Sequence, residues 1–164
     1  MGSVNLWNGN FFLCQAVVSL PGDGFPLQFN LYFNGESTAD GPFGLKWRNT
    51  YQMRLNVNLT DRVGLESANG TLYYYYPRGS GYIAAPGAPG APGDLMRNPD
   101  GTYQIVTYDD HVVYRFDKDG AWTQKFDPVT GATQTIAYQD GNVIVTDGFG
   151  RSLTIETKGT VPAP

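Results

Sequence analysis

A single histidine stands beside two carboxylates, in the segment Asp109-Asp110-His111. A histidine oriented by a carboxylate can act as the general base that activates a serine or cysteine nucleophile. Consecutive residues of a strand point to opposite faces, however, and the sequence places no nucleophile beside this histidine. We therefore expect His111 to be a turn or strand-edge residue. Because no acid–base pair or nucleophile constellation is legible, we expect the protein not to be an enzyme.

The segment Asp117-Lys118-Asp119-Gly120 is similar to the start of a calcium-binding loop. An EF-hand loop needs Gly at its sixth position and Glu at its twelfth, where this chain has Trp122 and Pro128. One histidine and one cysteine cannot form a zinc site that is built from several such ligands. We predict a hairpin turn at 117–120, no metal and no cofactor. Cys14, among apolar neighbours, is predicted to be a buried and inert thiol.

Four consecutive tyrosines form the densest aromatic cluster. Tyr73, Tyr74, Tyr75 and Tyr76 would place two rings on each face of a strand. With Tyr82 they are candidates for contact with a ligand or partner, because flat aromatic rings stack on sugars. Ordinary packing and covering of a sheet edge is the favoured interpretation. A sugar site needs an aromatic pair that lines an exposed groove, whereas a structural wall would bury the rings.

Composition excludes several classes of protein. The 164 residues carry a net charge of −4 and no basic run, which disfavours a nucleic-acid partner. No apolar stretch approaches the roughly 18 residues of a membrane span. The start, 1–3, lacks the basic and apolar regions of a signal peptide, so we expect a native signal peptide to have been removed. With 21 Gly, 11 Pro and 14% aromatic residues, the composition favours short strands and many turns.

Alternation of apolar and polar residues predicts the strands. Five apolar positions at a spacing of two occur in 25–33 and again in 51–59. Shorter runs of the same kind lie at 72–76, 103–108, 112–116, 121–126, 135–138, 143–146 and 153–156. Asn-Gly, Asp-Gly and Thr-Gly pairs, typical of hairpins, separate many of them. We predict an all-β fold of antiparallel strands and hairpins in a twisted, partly open sheet, with less than about a tenth of the residues helical.

The domain organisation is predicted to be one β domain over 1–164. A subdivision into opening strands at 4–83 and repeats at 94–158 is the alternative. Between them, 84–93 contains three Ala-Pro-Gly triplets, which predict an extended surface loop. The turn at 40–44 should return Phe43 and Trp47 against the strand at 25–33, with Trp47 buried as an anchor.

Two parts of the chain resemble the Rhs/YD-repeat family. Segments 19–22 and 27–34 precede the sequence DGPFGLKW at 40–47, similar to the family's DGPFG-x-GW, with Lys46 where the family commonly has Gly. Degenerate repeats with Asp-Gly turns and a D-x-x-G-R stretch follow at 117–122, 127–131, 134–138, 140–142 and 145–154. Nothing here corresponds to the family's self-cleavage site, so the resemblance supplies no catalytic residue.

The resemblance implies a structural module of a β-shell that encloses a cargo or toxin. It also implies a large secreted or cell-surface protein, of bacterial origin. The implied partners are further YD-repeat hairpins of the native chain, and the exposed strand edges predict self-association. The alternative is a carbohydrate- or protein-binding β module that uses its tyrosine-rich face, with a glycan as the possible ligand.

Overall fold

Strands dominate the computed structural model, which describes residues 2–6, 9–86 and 90–156. Within these ranges the chain forms β-strands and no helix, so the all-β prediction is confirmed. It follows that the described residues include no helix capable of crossing a membrane. The strands are β1 Gly2–Val4, β2 Phe11–Leu20, β3 Leu27–Asn34, β4 Asp40–Gly41, β5 Gly44–Leu45, β6 Trp47–Asn49, β7 Arg54–Asn56, β8 Val63–Glu66, β9 Leu72–Arg78, β10 Gly81–Ala84, β11 Gly93–Arg97, β12 Tyr103–Thr107, β13 Val113–Phe116, β14 Trp122–Phe126, β15 Thr133–Gln139, β16 Asn142–Asp147 and β17 Ser152–Glu156.

The strands form one large and one small sheet. The large sheet has eleven strands, β7 to β17, in unbroken sequence order. The small sheet has the order β1-β2-β3-β6, and β4 pairs with β5 alone. All of these pairings are antiparallel. The expected architecture of antiparallel hairpins in a partly open sheet is therefore confirmed.

One type of turn recurs along the large sheet. In each case the first residue donates its N–H to the carbonyl four residues on, and a glycine at the fourth position donates back to the first residue's carbonyl. This pattern is a type I turn followed by a left-handed glycine. It occurs at 67–71, 98–102, 117–121 and 147–151, with glycine φ angles of 84°, 90°, 91° and 80°. The hairpin turn predicted at 117–120 is thereby confirmed.

Aspartate at the first position stabilises two of these turns. Asp117 Oδ1 accepts the N–H groups of Asp119 and Ala121, at 3.0 and 2.8 Å. Asp147 accepts the N–H of Arg151 at 2.9 Å and also its Nε–H at 2.7 Å. Desolvation opposes ionisation of Asp147, but the bonds from Arg151 and the turn backbone hold its pKa below the usual range. The repeated Asp-x-x-Gly signal in the sequence is thus a signal for turns.

The first strand of the large sheet, β7, contacts a turn that lies much later in the same sheet. Leu55 of β7 donates its N–H to the carbonyl of Gly120 at 2.8 Å, and Arg54 forms an isolated bridge with Ala121. The edge of β7 therefore meets the turn between β13 and β14. A Cβ on Gly120 would lie 2.2 Å from the Leu55 carbonyl oxygen, so this approach requires glycine.

The small sheet packs against the large sheet at two places. Beyond β2, the carbonyls of Pro21 and Pro26 accept bonds from Arg151 Nη1 at 2.8 Å and from Gln134 Nε2 at 3.3 Å. At the other end, Arg48 of β6 forms an ion pair with Glu66 of β8 at 2.6 Å. Buried residues of both sheets form one hydrophobic cluster, which includes Leu27, Phe29, Leu65, Tyr75, Leu95, Ile105 and Val145.

Three sequence predictions need correction. The alternating segment 51–59 forms only the three-residue strand β7, because the free edge of this strand, among the described residues, pairs with no neighbouring strand and meets only the β13–β14 turn. Tyr51 and Leu55 are nevertheless buried, as the two-residue period of the segment indicates. Trp47 is half-buried, since β6 is an edge strand, although its ring does lie 5.4 Å from Phe33. Cys14 is also only half-buried, because it pairs with Tyr32 on the more polar face of β2 and β3.

The Ala-Pro-Gly segment joins two neighbouring strands of the large sheet. Tyr82 of β10 pairs directly with Leu95 of β11, so the connection is a long hairpin loop. Ala84 and Gly93, at the two ends of the predicted loop, are strand residues. Residues 87–89, predicted as part of the extended loop, lie outside the described residues.

Lys46 has a left-handed backbone conformation, with φ of 69°. This region of φ favours glycine, because a side chain at Cβ strains it. The Lys46 ammonium donates to the Gly35 carbonyl at 2.6 Å, and this bond holds the turn after β5 to the end of β3.

Candidate aromatic groove

A groove of about 450 Å³ lies between β3 and the buried face of the large sheet. Its rings come from both sheets and from the segments beside them. We call it the aromatic groove, because six of its lining residues are aromatic: Phe25, Tyr32, Tyr51, Tyr73, Tyr114 and Trp122. Neutral amides and hydroxyls line it as well, among them Gln28, Thr50, Asn69, Thr107 and Gln134. Among its described lining residues there is one cation, Lys125, and no carboxylate.

Stacked rings form the floor of the aromatic groove. Tyr51 and Trp122 stack at 5.8 Å with an interplanar angle of 20°, and Tyr114 lies 5.6 Å from Trp122. Tyr51 is 2% exposed and Trp122 is 4% exposed, so these two rings belong to the core. Trp122 Nε1 donates to the Gln124 carbonyl at 2.9 Å, which fixes the indole in the sheet. Tyr114 keeps part of its surface open to the groove.

Lys125 extends its ammonium along two aromatic rings. Its Nζ lies 4.1 Å from the centroid of Phe25 and 5.6 Å from that of Tyr114, within the range of cation–π attraction. Burial lowers the pKa of Lys125, and the charge of Asp110 acts in the opposite direction. Burial also raises the pKa of Tyr114 to about 12, so this phenol is neutral and can donate a hydrogen bond at neutral pH.

The amides of the aromatic groove are held by specific partners. Gln134 is 4% exposed and is oriented by its bond to the Pro26 carbonyl. Gln28 donates to Asn30 Oδ1 at 3.4 Å, and Asn69 Oδ1 accepts the N–H of Thr71 at 3.0 Å. Because an amide has two donors and an acceptor with two lone pairs, each of these side chains has more hydrogen-bonding capacity than these bonds use.

The predicted tyrosines do not share one surface. Tyr73 lines the aromatic groove, whereas Tyr75 is fully buried in the core, where desolvation raises its pKa above the usual range. Tyr74 lies on the opposite face of β9, with the Arg62 guanidinium 4.6 Å from its ring. Tyr76 pairs with Ile83 on that same face. Tyr82 lines a separate, shallow depression at the β9–β10 turn.

His111 does not line the aromatic groove. It is exposed, has a φ of 55°, and directly follows the turn at 108–110, which agrees with the predicted turn position. Among the residues that the structure describes, no group of three or more His, Cys, Asp or Glu side chains could hold a metal ion.

Sequence reasoning did not identify most of the aromatic groove. Tyr51 and Trp122 are far apart in the chain and meet only because β7 returns to the β13–β14 turn. The alternation at 51–59 and 121–126 correctly indicated strands, but no local signal indicates which strands meet. Lys125 lies between the polar Gln124 and the apolar Phe126, so no local signal marked it as a half-buried cation.

One known family model matches the first part of the chain. A family model described as a domain of unknown function (DUF6531) matches residues 2–75. The match covers the small sheet and the large sheet as far as β9. A search of curated proteins finds no match.

Proposed function

We propose that this chain is a structural β-shell module of the Rhs/YD-repeat kind, belonging to a large secreted or cell-surface protein and contributing to the enclosure of a cargo or toxin. The observation that carries the proposal is the strict sequence order of the eleven strands of the large sheet. Each added hairpin lies beside the previous one, so such a sheet can grow by repetition of one turn type. The motifs at 40–47 and 147–151 add the family resemblance.

The strand β17 supplies the edge at which such a wall would continue. Within the part of the chain that the structure describes, β17 pairs with β16 on one side only. The turn closes with a bond between Asp147 and Arg151, and bonded pairs then recur at every second residue. The exposed Thr154 is therefore at a non-bonded position, and its N–H points to the open edge. An unpaired edge of this kind binds further strands.

The test uses a proline at the open edge. Thr154→Pro removes the outward N–H and leaves the bonds to β16 in place, whereas Thr154→Val keeps that N–H as a matched control. Light scattering should show that the mass of the wild type and of Thr154→Val rises with concentration, while Thr154→Pro stays monomeric. A synthetic hairpin of residues 142–156 should bind to the first two proteins only. A wild type that is strictly monomeric and does not bind the hairpin would contradict the proposal.

A binding module is the second candidate function. The observation that favours it is the aromatic groove, in which half-exposed rings such as Tyr32, Tyr73 and Tyr114 lie beside oriented amides. The volume of about 450 Å³ is within the range of pockets that hold small ligands. In this proposal the ligand is a carbohydrate, and the contact surface is the groove with Tyr73. Loss of carbohydrate binding in Tyr73→Ala, with binding retained in the matched variant Tyr74→Ala on the opposite face, is the expected result.

A further inference from the structure

The one cation in the described lining of the aromatic groove, Lys125, forms no direct ion pair. Within the described part of the chain, no carboxylate lies within ion-pair distance of Lys125. The rings of Phe25 and Tyr114 attract the ammonium but carry no net charge. Asp110, the carboxylate whose charge acts on Lys125, lies at an exposed turn beside the groove and is already engaged, because its Oδ1 accepts a bond from the lining residue Thr107. A half-buried ammonium without a direct ion-pair partner favours an anionic ligand, because low local dielectric strengthens its attraction for a negative group.

The neutral part of the lining favours a sugar. A pyranose ring has apolar C–H faces and a rim of hydroxyls, and the lining combines half-exposed tyrosines with amides. Tyr32 and Tyr73 offer ring surface, and the half-buried Gln28 and Asn69 offer amide groups. This combination of a largely apolar pocket with a few oriented polar groups is typical of small-molecule sites.

The backbone around the aromatic groove disfavours an added peptide strand. Beside the groove, Asn30 of β3 accepts the N–H of Thr50 at 3.1 Å, and its own N–H donates to Thr50 Oγ1 at 2.8 Å. These bonds occupy the backbone groups through which an extended peptide would be added to β3. A ligand recognised by side chains alone is therefore favoured.

We propose that the aromatic groove binds a saccharide that carries a carboxylate, and that the ammonium of Lys125 pairs with this carboxylate. The inference rests on the binding function proposed above for the groove and names its ligand class. Tyr114 and the groove amides would donate to the sugar hydroxyls or to the second carboxylate oxygen. The site would select uronates over their neutral counterparts by this one charge.

The experiment is a calorimetric titration of the purified chain with di- and trisaccharides of galacturonate, glucuronate and mannuronate, each beside its methyl ester. The ester removes the charge and keeps the sugar. The variants are Lys125→Met, which keeps the length of the stem, and Lys118→Met, a matched control at an exposed turn. Lys125→Arg keeps a positive charge at this position and so tests whether the charge itself is required. Circular dichroism of each variant shows whether a loss of binding arises from misfolding.

We expect the wild type to bind at least one uronate about tenfold more tightly than its ester, as is typical of a charge-assisted bond. Lys125→Met should lose this preference, Lys118→Met should keep it and Lys125→Arg should regain it. Equal binding of acid and ester would overturn the inference while the groove's binding function stands. Binding of none of these sugars or esters would overturn both. Lys125-dependent binding of oligoglutamate without any uronate binding would overturn the ligand class.

Discussion

Gly120 is the position where the fold of the large sheet is most sensitive to one methyl group. Its φ is 91°, and an added Cβ would lie 2.2 Å from the carbonyl oxygen of Leu55 and 3.2 Å from its Cβ. Gly150 occupies the same position in the same type of turn, with φ of 80°, but a Cβ there would meet nothing within 4 Å. The pair Gly120→Ala and Gly150→Ala therefore separates backbone strain from the contact with β7.

The expected magnitudes differ by the contribution of that contact. Both alanines adopt a left-handed conformation, which costs about 1–2 kcal/mol of unfolding free energy. Gly120→Ala must also displace Leu55, which loses a backbone hydrogen bond worth about 1 kcal/mol. Leu55 is 3% exposed, and partial loss of its burial adds about 1–2 kcal/mol. We expect Gly120→Ala to be less stable than Gly150→Ala by about 2–3 kcal/mol, the sum of these two contributions.

Urea denaturation followed by circular dichroism measures this difference. For a chain of this size each kcal/mol lowers the melting temperature by about 2–4 °C, so a thermal scan should separate the two variants by roughly 4–12 °C. Equal destabilisation of the two variants would refute the reasoning, because it would mean that β7 does not meet the β13–β14 turn in solution.

Three further predictions concern charged side chains. Glu66→Gln removes the partner of Arg48, which is 6% exposed, and should cost about 2 kcal/mol in denaturation, whereas Arg54→Gln at the exposed pair should cost under about 1 kcal/mol. The lowered pKa of Asp147 stabilises the fold above the unfolded value of about 3.9, and this stabilisation is lost as the pH falls through the folded value; Asp147→Asn should flatten the acid limb of a stability–pH curve. Lys46→Gly should be about 1 kcal/mol more stable than Lys46→Met. Both variants lose the ammonium bond to Gly35, but only Lys46→Gly relieves the backbone strain; equal denaturation midpoints would contradict this.

Local signals predicted the hairpins of the large sheet. The alternation at 143–146 and 153–156 lies within β16 and β17, and the Asp-x-x-Gly sequence at 147–150 forms the turn that joins them. Turn residues act through their own backbone and side-chain bonds, so a short window of sequence contains the required information.

Contacts between distant strands could not be predicted in this way. The stack of Tyr51 on Trp122 depends on the return of β7 to the β13–β14 turn, which joins residues far apart in the chain. The four tyrosines were correctly given two faces, but nothing local indicates that one face packs into the core at Tyr75. Burial of a face depends on what the rest of the chain places above it, and alternation shows only that two faces exist.

The two proposed functions use different parts of the molecule and should therefore be separable. The open edge depends on the outward backbone N–H of Thr154 in β17, whereas the groove depends on the side chain of Lys125 in β14, three strands away in the sheet order. Changes at sites that share no partners are expected to act additively. We expect Thr154→Pro to be monomeric and to retain the wild-type affinity for the uronate, and Lys125→Met to lose that affinity and still self-associate. Loss of uronate binding in Thr154→Pro, with its circular dichroism unchanged, would show that the groove is completed by a second copy of the chain. In that case self-association and binding would be one function, carried by the assembled sheet.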